Sequence, residues 1–172
     1  MLSMVALALA AASAASASPL TQASPWWEKI TVTMSGDGST ENCRYETSTA
    51  GAGAEACKVE DIGPLREMAG GESGTYTTIT FERRFNPGEQ PDIGSLAAGD
   101  SLLGAQVMAV AINGEGAVSG CRVIAASGGL LPDYSCDDAR AERFQASTGG
   151  QAPDATQGFV TVLVYGHQGQ LT

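Results

Sequence analysis

The stretch Ile30-Thr31-Val32-Thr33-Met34-Ser35 alternates apolar and polar residues, as a strand with one buried face does. Gly36-Asp37-Gly38 follows as a hairpin turn signal, and residues 42–48 read as the return strand. Along that strand Cys43, Tyr45 and Thr47 share one face, while Arg44 and Glu46 share the other. Residues 50–68 are rich in Ala and Gly, then mixed, and predict a helix around Cys57 with a break near Gly63-Pro64. Residues 76–85 return to strand character, with Ile79, Phe81 and Phe85 on one face. The composition of 86–100, with Pro87, Gly88, Pro91, Gly94 and Gly99, is that of a linker. The pattern then restarts: a strand over 107–112, a turn from Asn113-Gly114, and a return strand over 121–126. A helix over 132–144 and a last strand over 158–165, the most β-prone segment of the chain, complete it.

Each half therefore reads β-β-α-β, and the halves share more than their order. Gly36-Asp37-Gly38 and Cys43-Arg44, then Cys57, are matched by Gly114-Glu115-Gly116 and Cys121-Arg122, then Cys136. Such self-similarity points to a duplicated module. The fold expected is α+β: two tandem β-β-α-β modules, each a small antiparallel sheet packed on a helix. The boundaries expected are 1–17 for a signal peptide, 26–86 for the first module, 87–101 for a linker and 102–168 for the second module. The preserved spacings favour disulfides Cys43–Cys57 and Cys121–Cys136 over the other pairings. A metal site lacks any Cys-x-x-Cys spacing, and the sole histidine, His167, lies near the chain end; no metal and no cofactor are expected.

Residues 1–18 are an apolar and Ala/Ser-rich run in which Ala15-Ser16-Ala17 fits a secretory cleavage pattern, although no Lys or Arg precedes it. That run is too short for a stable membrane span. Four cysteines in matched pairs agree with an oxidising compartment, so a periplasmic or secreted location after cleavage is expected. The net charge is −10, from 19 acidic residues against nine Lys and Arg, with no basic run. Nucleic-acid binding lacks its electrostatic footprint, and protein or peptide partners are the expectation.

Chemistry-bearing groupings are sparse. No serine stands in a Gly-x-Ser-x-Gly elbow, and no glycine run forms a phosphate-binding motif. Asp133, Asp137 and Asp138 are the best acidic cluster and the one route to a carboxylate-dependent hydrolase. Near a helix start, however, such charge satisfies the helix dipole. Trp26 and Trp27, adjacent on a strand, point to opposite faces, so one can enter the core while the other stays partly exposed as a contact surface, although capping of the core edge by both rings is the favoured expectation. Arg83 and Arg84, between Phe81 and Phe85, and Tyr165 on the last strand join the two tryptophans as binding candidates, because Arg and aromatics concentrate where proteins meet.

Gly116-Ala117-Val118-Ser119-Gly120-Cys121-Arg122-Val123-Ile124-Ala125-Ala126-Ser127-Gly128 resembles the strand-turn-strand signature of the TonB C-terminal domain family, in its cysteine-bearing, sphingomonad-type variant. Pro132-Asp133, Cys136 and Arg143-Phe144 stand at matching positions, the last strand fits the family's final strand, and the first half looks like a degraded copy. The resemblance implies a sheet-and-helix module that captures a partner segment by strand addition. The apolar start reads as cleavable and only a short spacer precedes Trp26, so force transmission is not expected. The expected function is that of an exported, non-enzymatic module binding envelope proteins or peptides at a sheet edge near the third strands. The alternative is a structural envelope protein with no specific ligand.

Overall fold

The computed structural model describes residues 20–21, 25–35, 39–48, 55–56, 76–88, 90–93, 95–130, 134–142, 144–145 and 156–169. Six long strands form one antiparallel sheet: β2 (Trp26–Met34), β3 (Thr40–Thr47), β5 (Thr78–Pro87), β6 (Asp100–Ile112), β7 (Val118–Gly128) and β9 (Thr156–His167). A two-residue β4 (Glu55–Ala56) adds to β3, giving the order β4-β3-β2-β5-β9-β6-β7. Separately, β1 (Leu20–Thr21) pairs in parallel with β8 (Phe144–Gln145). The described helix, α1, is short, Cys136–Ala141.

All six strand segments lie where alternation places them, but the architecture differs from two tandem β-β-α-β modules. The halves do not close as separate sheets on separate helices. Their third strands, β5 and β9, pair with each other over ten residues, from Thr78 opposite His167 to Pro87 opposite Gly158. The physical reason lies in β9: Val160, Thr161, Val162, Leu163 and Val164 are all buried, so both of its faces need cover and both of its edges need partners. Each half contributes its strands in the order second, first, third, and the seam is β5·β9. This also corrects the expected binding edge. Neither third strand is at an edge; β5 lies between β2 and β9, and β9 between β5 and β6.

The front face carries the core. Trp26, Phe85, Met108, Ile112 and Val160 form one buried cluster that receives Ala139 of α1. Val32, Ile79, Phe81, Val164 and Cys43 form another. The Cys121–Cys136 disulfide ties α1 to β7 across a sequence separation of 15, a loop length whose closure is worth about 3 kcal/mol. Cys43 is also disulfide-bonded; Cys57 lies outside the described residues, and Glu55–Ala56, expected within a helix around it, instead form β4 against β3. The second expected helix is shorter than 132–144. Ser135 caps it, its Oγ accepting from the backbone N–H of Asp137 and Asp138, and the chain leaves the helix at Glu142.

The back face is crossed by the connection 88–99. Because β5 and β6 both run antiparallel to β9, they are parallel to each other, and the connection must travel the length of β9. Pro87 stands opposite Gly158 and Asp100 opposite His167, nine residues apart, so the distance is about 30 Å. Thirteen residue steps reach at most about 45 Å, so the connection spans the distance with length to spare, some of it taken up by a turn in which Asp100 N–H donates to Ala97 O. Gln90 lines a groove with Ala109, Ala111 and Phe159, which places the connection opposite α1.

If β5·β9 is the joint of the fold, neither half stands alone. Fragments 25–88 and 89–172 made separately are expected to show no cooperative urea transition, and mixing them to restore one. Two independent transitions would contradict the single-sheet reading.

Candidate functional site

The run Glu82-Arg83-Arg84 alternates across the sheet and places one charge cluster on each face. On the front, Arg83 is flanked by the rings of Trp26 and Tyr134, its Cζ 5.1 and 4.9 Å from their centroids. Its Nε lies 2.7 Å from Glu28 Oε1, and its Nη1 donates to Glu142 Oε1. Tyr45 Oη donates to Glu28 Oε2 at 3.0 Å, and Tyr134 Oη to Glu142 Oε1 at 3.3 Å. Burial, then the Glu28 charge, push the Tyr45 hydroxyl up to about 12. Burial raises Tyr134 as well, against the opposing pull of Arg83. Burial opposes the charge on Arg83, but Glu28 and Glu142 outweigh it and hold the guanidinium above its ordinary value. The arrangement joins β2, β5 and the end of α1 through one cation.

On the back, the Glu82 side chain is 2 % exposed. It accepts from Arg84 Nε and from Tyr165 Oη at 3.0 Å, with Lys29 Nζ 3.5 Å away. Burial works to raise its pKa, yet Arg84, Lys29 and Tyr165 together bring it below the ordinary 4.5. Lys29 also lies over the Trp27 ring, 5.0 Å from its centroid.

The five binding candidates are therefore split between faces. Trp26 is 6 % exposed, stacked on Phe85, and belongs with Arg83 to the front. Trp27, half-buried, lies with Arg84 and Tyr165 on the back. Of the acidic cluster, Asp138 accepts from the Ser135 backbone N–H and hydroxyl, which hold its carboxyl below the usual range. Asp137 pairs with Arg140 at 2.7 Å, and Asp133 lies outside the described residues. His167 Nδ1 is 2.8 Å from Asp100, joining the ends of β9 and β6. Among the described residues no group of three or more His, Cys, Asp or Glu side chains is placed to hold a metal.

A surface that sequence reasoning missed lies at the other end of the sheet. β7 pairs only with β6, so its outer backbone edge has no strand partner among the described residues. Register shifts leave Ser119 and Ile124 as extra residues in β7, and Gly120–Val123 pair regularly between them. Arg122 is exposed and is the one described Lys or Arg without an ion pair. Behind it runs a back-face groove of about 700 Å³, with Ala109, Ala111, Gly120 and Gly158 among its lining residues and Arg122 the one charged group among the described ones. The signal was a contrast between the repeats. Arg44 has Glu46 two positions on, at 3.0 Å, whereas Arg122 has Ile124 there.

No family model matches the chain, and no curated protein or solved structure matches it either.

Two consequences of the charge clusters are measurable. Arg83→Ala leaves Glu28 and Glu142 facing each other without their cation and is expected to cost about 3 kcal/mol in urea unfolding. Glu82 has a folded pKa below its unfolded one. Its contribution is therefore complete above about pH 4.5 and is lost as pH falls through the folded value. Wild type should lose stability between about pH 5 and pH 3 more steeply than Glu82→Gln, which should itself be about 2 kcal/mol weaker near neutrality.

Proposed function

We propose that this is an exported, non-enzymatic module that binds an extended segment of a protein or peptide in the cell envelope by strand addition along β7. The observation carrying this reading is the outer edge of β7, which has no strand partner among the described residues. A strand edge presents N–H and C=O groups at fixed spacing, and an added strand satisfies them with affinity set mainly by main-chain hydrogen bonds. The two register shifts twist the edge and limit open-ended pairing, as edge strands of soluble proteins require. What they leave is a short, regular run, Gly120–Val123, suited to one partner segment rather than to a growing stack.

Further support comes from rigidity. Cys121, in the middle of the accepting run, is bonded to Cys136 of α1, so the edge is held before a partner arrives. A bonded cysteine pair fits the oxidising compartment read from the N-terminal sequence. Two of the acidic residues first considered for hydrolysis, Asp138 and Asp137, are engaged in capping and pairing α1, which favours binding over catalysis. The likeness to the TonB C-terminal domain family points the same way, toward segment capture by strand addition.

Selection of displayed random octapeptides against the oxidised protein tests this. Selected peptides are expected to slow amide hydrogen exchange in Gly120–Val123. Peptides that protect only other segments, or a selection that enriches none, would contradict it.

A further inference from the structure

The back-face surface beside β7 specifies more than an extended backbone. On that face Arg122 stands opposite Ala109 and Gly120 opposite Ala111. A strand added outside β7 in register with Gly120–Val123 places two of its side chains, two positions apart, beside these residues. Beside Arg122 a carboxylate meets an exposed guanidinium that has no ion pair among the described residues, in a groove whose other described lining residues are uncharged. Beside Gly120 there is no side chain to obstruct, and Ala111 beyond it is small. A Cβ built on Gly120 would come no closer than 3.6 Å to Ala111, ordinary contact distance. A large apolar or aromatic side chain of the partner can lie across Gly120 onto Ala111, beyond which Gln157 stands in register, with Phe159 diagonal to it in the groove. Aromatic residues beside strand glycines stabilise sheets in this manner.

We infer that the partner segment carries an acidic residue and a large apolar residue two positions apart on one face, the first seated on Arg122 and the second over Gly120. This rests on strand addition at β7 and adds the chemistry of the added strand. The rest of β7 fits such a partner, since residues 118–128 contain no Asp or Glu to repel its carboxylate.

The test uses the full oxidised protein and blocked hexapeptides of Thr and Val that carry one Glu and one Phe. In the first peptide Glu and Phe stand two apart; in the second they are adjacent and so point to opposite faces; in the third Lys replaces Glu. Amide shifts in Gly120–Val123 report binding at the edge. The first peptide is expected to bind about fivefold tighter than either of the others, the scale of one cross-strand pair. Arg122→Glu should reverse the Glu-to-Lys preference. Gly120→Val, whose Cβ meets Ala111 at ordinary contact distance, should abolish the preference for spacing, with an unchanged urea midpoint checking that the protein stays folded. Equal binding of all three peptides at β7, unchanged by Arg122→Glu, overturns this inference and leaves strand addition standing. No shift in Gly120–Val123 with any peptide, together with failure of the octapeptide selection, overturns both.

Discussion

The pairing of β5 with β9 is the constraint on which the rest of the molecule depends. Ten consecutive residue pairs join the two halves, with β9 buried along most of that length and β5 along half of it. Everything that flanks the seam, the β2–β3 hairpin on one side and the β6–β7 hairpin on the other, extends the sheet outward from it. With the third strands consumed by each other, an edge is left on β7, the second strand of the second half. The position of the proposed accepting surface thus follows from the same pairing that joins the two halves in one sheet.

At the middle of β5 the alternation of a strand sorts three consecutive charges. Arg83 goes to the front, where it bridges β2 to the end of α1; Glu82 and Arg84 go to the back and satisfy each other beside Tyr165. Burying a lone charge at such a seam would cost several kcal/mol. Here each buried charge has at least one opposite charge in contact, and the aromatic rings over Arg83 replace part of its hydration. Arg83 and Arg84, attractive as binding residues in the sequence, are engaged inside the protein.

Strand positions were legible because period-two alternation and turn residues are local signals. The turn at Asn113-Gly114 forms, with Asn113 Oδ1 accepting from Glu115 and Ala117 N–H and Gly116 at φ 79°. The opposite placement of Trp26 and Trp27 was legible for the same reason. Partnership between strands was not, because pairing over long separations leaves no trace in a window of ten residues. One clue was present: the unbroken apolar run ending β9 belongs to a strand covered on both faces, which a two-layer module of three strands does not require. The binding surface was harder still. Arg122 becomes distinctive only once every other described cation is seen to be paired, and Gly120 only once β7 is known to be an edge.

The last long strand along the chain sits at the centre of the sheet. Until β9 has emerged, β5 and β6 lack their common neighbour, and the hairpins made earlier have nothing to hold them side by side. A chain emerging from its amino end therefore cannot complete this sheet before β9 appears, so closure is a late event set by the order of elements.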